Sequence, residues 1–268
     1  SIGIITARAG INVTGGNINV SSGTVTATSF SGSGANLTDI ITGIATDASG
    51  NTFGGHLAGN ALTSDNEDNV IIGREAGEAL NASNGDDNVF IGAHAGEAAT
   101  SHRNSVLIGY KAGSTNQTGY RNVVIGEGSF NSNGNTEYNT CTFVGYGAGS
   151  NVQTGYMEYC TFLGYGAGQS SGADYDICIG RNANTRGSGR FGIFIGDMVG
   201  NPYGTYGDMS GQENIMIGRS AGGAYTSGGN NTLMGSQCGG TLTTGSNNLV
   251  LGHDADVSGA TVSNEITL

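Results

Sequence analysis

A short, mostly apolar triplet runs into a glycine twelve times along this chain, at intervals of 16 to 22 residues. The glycines are Gly55, Gly73, Gly92, Gly109, Gly126, Gly145, Gly164, Gly180, Gly196, Gly218, Gly235 and Gly252. Around the second the chain reads NVIIGREAG from Asn69, and around the third NVFIGAHAG from Asn88. Self-similarity at so short a period predicts a solenoid, in which each repeat is one rung and cannot bury its apolar face alone. Composition agrees. Glycine makes up 51 of 268 residues, against a usual share of roughly 7 per cent. Its spacing marks one tight turn per repeat rather than the every-third-residue period of collagen. Asn, Ser, Thr and β-branched residues favour short strands and turns. The expected class is all-β, a parallel β-solenoid of about twelve rungs with negligible helix.

The register follows from aligning every rung on its glycine. Positions one and three before it share a strand face, and position two points the other way. Ile72, Ile91, Ile108 and Ile125 stand one before the glycine and are expected to stack as the core. Phe90, Leu107, Val124, Phe143, Phe162 and Phe194 stand two before it and form a second ladder, in the core or at a subunit interface. Both faces are apolar, and a coil has one interior. The face left outside is a long apolar stripe that a soluble monomer seldom tolerates. An identical chain around a symmetry axis is the simplest cover, so the sequence predicts an obligate homo-oligomer. Asn69, Asn88, Asn122, Asn214, Asn231 and Asn248 stand four before the glycine, in register for an amide ladder. Cys141 and Cys160 occupy that same position in neighbouring rungs and are expected as adjacent free thiols.

Few side chains suggest chemistry. Tyr146 and Tyr165 hold the position after the glycine on adjacent rungs, with Tyr110 two rungs earlier. Exposed aromatics there suit either a receptor-contacting strip or cross-rung packing. The longest interval holds residues 201–212, with the only proline and with Tyr203 and Tyr206. Insertions in repeat proteins become loops on one face, often the binding face. Asp65, Glu67, Asp68, Asp86 and Asp87 read as solvated acidic turns, since the glycine-aspartate nonapeptide of calcium-binding rolls is absent. His56, His94, His102 and His253 do not cluster in sequence, and no nucleophile-elbow, phosphate-binding or zinc motif occurs. No catalytic residue, cofactor or metal ligand is therefore expected. A formal charge of −12 without any Lys/Arg run excludes an electrostatic nucleic-acid footprint. No apolar stretch approaches the ~18 residues of a membrane span, so membrane insertion is not expected.

The rung N-x-h-h-I-G-x-x-A-G, as in NVFIGAHAG, resembles the left-handed parallel β-roll repeats of YadA-like trimeric adhesin heads and of phage tail fibres. The likeness covers residues 51–257 and implies a homotrimer. GIITARAGINVTGGNINV and ATSFSGSGANLTDI, within residues 1–50, are similar to segments of cyanophage structural proteins and imply a short N-terminal fibre segment. ATVSNEITL, within residues 258–268, looks like an exit segment leading toward the cleavable chaperone of trimeric phage fibres. The resemblance implies a structural and host-recognition part of a phage tail fibre or virion appendage. Its expected partners are other virion proteins and a host surface glycan or protein. The alternatives are a bacterial trimeric autotransporter head on the cell surface and a carbohydrate-active β-solenoid tailspike. An ice-binding solenoid needs a Thr ladder at the rung period, which the sequence lacks.

Overall fold

A computed structural model describes residues 44–132, 137–152, 156–172, 174–200 and 210–268, all within the second of two units, Thr42–Leu268. Among these residues there is no helix. The protein is all-β, a parallel β-solenoid of about twelve turns. Each triplet before a glycine forms a strand, from Thr52–Gly54 and Val70–Ile72 to Thr232–Met234 and Leu249–Leu251. Together with two end strands they make one fourteen-stranded sheet. Ala45–Thr46 closes one end by pairing antiparallel with the first triplet. Ile266–Thr267 extends the other end in parallel, Leu249 facing Ile266, so the segment read as an exit supplies one more strand. The register is the glycine register throughout. Val70 faces Val89, Ile71 faces Phe90 and Ile72 faces Ile91, and the same holds rung after rung.

The interior lies on the other side of the sheet from the one expected. Ile71, Phe90, Leu107, Val124, Phe143, Phe162, Met216, Leu233 and Val250, all two before the glycine, have no solvent exposure, and Phe194 keeps 4%. Ile72, Ile91, Ile108 and Ile125 do stack in register on one face, but that face is the outside and they are half-exposed. They are not the core. The chain's corners, at the positive-φ residues ahead of each strand, enclose that face. Position four before the glycine shares it with position two, and the asparagines there are buried with their amides paired to one another. Ala76, Ala95, Ala112, Ala148, Ala167 and Ala221, three after the glycine, pack into the same interior.

The asparagine ladder forms, and it runs inside the coil. The Asn51 side-chain oxygen accepts from the backbone N–H of Asn69 at 3.0 Å and from its side-chain amide at 2.9 Å. The Asn69 oxygen accepts likewise from Asn88, both at 3.0 Å. Asn214, Asn231 and Asn248 repeat the pattern. Each amide also donates to a carbonyl of the following turn, as Asn88 does to His102 at 2.7 Å. Where asparagine is replaced, the substitute still accepts. Ser105 Oγ takes Asn122 N at 3.2 Å, Cys141 Sγ takes Cys160 N at 3.5 Å, and Asp176 Oδ1 takes Gly192 N at 2.7 Å. The backbone N–H at this position points into the interior, so the preceding rung's side chain must satisfy it. Removing one member strands two or more buried groups, each worth about 1–3 kcal/mol.

The glycine is dictated by its neighbour. At Gly145, with φ +137°, an added Cβ would lie 2.4 Å from the carbonyl oxygen of Gly164 on the next rung. Stacked rungs leave no room for a side chain there. A second, four-stranded sheet was not legible in the sequence. Ser101–Arg103, Thr118–Tyr120, Glu137–Asn139 and Tyr156–Glu158 stack in parallel. Their inner side chains are buried, among them His102, Tyr138 and Met157.

Candidate functional site

The outer face of the long sheet carries partly exposed apolar side chains. Position one before the glycine, from Ile72 onward, is an aliphatic column, and position three is a column of Val, Ile, Leu and Thr; both are half-exposed over most of their length, with Met234 at 42%. From the rung of Gly73 to that of Gly252 there are ten spacings of ~4.8 Å, a largely apolar stripe about 48 Å long. Exposed residues bound it on both sides. On one side is the position after the glycine, where Tyr110, Tyr146 and Tyr165 are 46%, 55% and 56% exposed. On the other is position five before it, where Tyr159, Tyr175 and Phe191 are about as open. The chain takes a positive φ at this second position, as at Asp68, Arg121 and Tyr159, where it turns a corner into the strand.

The aromatics stack along the coil axis. Tyr146 and Tyr165 lie 5.2 Å apart and within 8° of parallel. Tyr159, Tyr175 and Phe191 form a second pile at 5.2 and 4.8 Å. The second pile was not singled out from the sequence, although its one-per-rung spacing was the available signal. Stacked rings cover each other's faces and present edges and hydroxyls outward. Tyr110 stands apart from Tyr146. It meets His94 edge-on at 5.9 Å, and the Lys111 ammonium lies 5.4 Å from its ring centre. Between Tyr110 and Tyr146 is a cleft of about 260 Å³ bordered by Glu127 and Gly128 of the intervening rung. Tyr203 and Tyr206 lie outside the described residues.

Candidate chemistry elsewhere resolves into structure. Glu75, His94 and Glu97 place three donor atoms within 4.8 Å of one another. Arg74 Nη2 lies 2.6 Å from His94 Nε2. Guanidinium can only donate, so Nε2 accepts and Nδ1 carries the proton. His94 Nδ1 lies 2.9 Å from Glu97 Oε2 and 3.0 Å from Glu75 Oε2, so its proton is shared between the two carboxylates. A metal at Nδ1 would need that lone pair and would move the ring proton against Arg74, so the arrangement is an ion-pair network. The acidic turns hold backbone: Asp86 Oδ1 accepts from Glu67 N at 3.0 Å.

Two interior groups carry unusual protonation. Burial pushes the Asp176 carboxyl up to about 7, helped by nearby Asp174, against hydrogen bonds from Gly192 and Asn184. Burial lowers His102 to about 4; its ring lies beside the Asn116 backbone, yet neither ring nitrogen reaches hydrogen-bond geometry. Cys141, Cys160, Cys178 and Cys238 are buried free thiols, and burial raises that of Cys178.

No family model matches the chain, no curated protein matches it, and no solved structure matches it.

Proposed function

We propose that this chain is a structural and host-recognition segment of a phage tail fibre or related virion appendage, assembled as a homotrimer and without catalysis. One observation carries the reading: a coil in constant register with an apolar stripe about 48 Å long left on its outer face. Burying that stripe between copies makes a stiff rod of the kind an appendage needs. The interior is filled by side-chain ladders rather than by a ligand cavity. The left-handed roll, the trimer and the virion location rest on the resemblance of the N-x-h-h-I-G-x-x-A-G rung and of the N-terminal segments. Host contact would fall to the polar turns, for example the cleft of about 330 Å³ lined by Asn151, Gln169, Ser170, Asn182, Thr185 and Arg186.

Light scattering tests the assembly. The chain weighs 26.9 kDa, so a trimer scatters at 3 × 26.9, about 81 kDa. A folded species of one chain's mass refutes the trimer. Gold-labelled antibody against the chain should decorate virion tails in electron micrographs. Decoration of bacterial surfaces instead would favour the autotransporter alternative.

A further inference from the structure

We infer that the two flanks of the outer face are complementary halves of one interface, which holds copies of this chain parallel and in register. The inference deepens the homo-oligomer proposed above and rests on it. Each rung carries one residue on each flank, six apart in sequence. In three rungs both flank residues are charged: Asp68 with Arg74, Arg121 with Glu127, and Glu213 with Arg219. All three pairs are of opposite sign, although their polarity reverses from rung to rung. Six residues of extended chain span on the order of 20 Å, so the two members of a pair cannot reach each other within one chain. Among the described residues, Asp68, Arg121, Glu127, Glu213 and Arg219 make no salt bridge. Arg74 pairs with its neighbour Glu75.

Symmetry decides what these pairs meet. Rotation about an axis along the coil brings one copy's post-glycine flank to the next copy's other flank at the same height. Asp68 of one copy then faces Arg74 of the next, Arg121 faces Glu127, and Glu213 faces Arg219. The uncharged rungs fit as well. Tyr165 would face Tyr159 across the interface. An antiparallel pair, by contrast, sets each column against itself and loses this matching. A slip by one rung breaks all three charge matches, setting Asp68 opposite His56 or Ala93, Arg121 opposite Tyr110 or Tyr146, and Glu213 opposite Asp197 or Ser236. The charged rungs thus fix register and direction, which a uniform aliphatic stripe leaves free.

Paired cysteines test this directly. The variant Arg121→Cys/Glu127→Cys is oxidised with copper phenanthroline and run on a non-reducing denaturing gel. Asp68→Cys/Arg74→Cys is the second variant should the first fail to fold. The native cysteines are buried. The six-residue span exceeds the Cα separation that a disulfide accepts, so only bonds between copies can form. The expected result is covalent dimers and higher species from each double variant and none from the single-cysteine variants. Cross-linking by a single variant alone indicates antiparallel copies and overturns the inference. An oligomeric wild type whose folded double variants do not cross-link also overturns it, while leaving the oligomer standing. A monomeric wild type in light scattering removes the reading on which it rests.

Discussion

Replacing Asp176 by Asn should stabilise the coil above pH 7 and leave it unchanged near pH 4. Asp176 occupies the interior ladder position, is 1% exposed, and lends Oδ1 to Gly192 N at 2.7 Å. Its carboxyl titrates near 7 in the fold because burial disfavours the charge, whereas an unfolded Asp titrates near 3.9. Between those values the folded chain holds a proton that the unfolded chain has released. Stability therefore falls as pH rises from about 4 to about 7 and is flat beyond. Three pH units at about 1.4 kcal/mol each give about 4 kcal/mol lost to the ionised group at pH 8. Asn keeps the acceptor for Gly192 and carries no charge. Its new NH2 faces Asn184, whose Nδ2 now donates to Asp176 at 3.1 Å and whose Oδ1 has no partner. Turning the Asn184 amide over lets its Oδ1 accept from that NH2, and the group left without a partner is then Asn184 Nδ2. Denaturant unfolding of both proteins at one chain concentration, from pH 4 to 9, should show a gain of about 3 kcal/mol at pH 8 that vanishes toward pH 4. A gain independent of pH, or none at pH 8, would refute the buried-carboxylate argument.

Two further substitutions probe the rung geometry and the second sheet. Gly145→Ala puts a methyl group against the Gly164 carbonyl and should lose about 3 kcal/mol or more. Gly128→Ala shares a positive φ but meets nothing within 4 Å, so its loss should stay near 1–2 kcal/mol; equal melting-temperature shifts would discount the clash. His102→Met, copying Met157 three rungs later in the same column, should be most stabilising at pH 4–5. There the unfolded His102 binds a proton that the folded one, titrating near 4, does not. Stability from the neutral ring is fully present above about pH 6.5 and is lost as pH falls, so the benefit of Met should shrink by pH 8. A benefit that grew with pH would contradict the assignment.

The glycine spacing by itself determined the solenoid, the number of rungs and the pairing register. Stacking identical turns leaves only one register in which every glycine meets the next rung's backbone. The interior position of the asparagine column was also within reach of the sequence, because amides in a ladder need shelter and share a face with position two. That inference was not drawn, so the isoleucine face was expected inside. The trouble was that both faces are apolar, and hydrophobicity alone does not rank them. The structure decided it through the chain's corners. The positive-φ residues ahead of each strand and the alanine turn behind it fix the direction in which the chain curls, and curling selects the face that is enclosed. Three-dimensional placement also made the second sheet, since His102, Gly119, Tyr138 and Met157 all stand seven before their glycines but share no residue type or hydropathy. The protonation of Asp176 and His102 was decided there too. A carboxylate or imidazole in a polar stretch reads as solvated until the coil closes over it and removes the water.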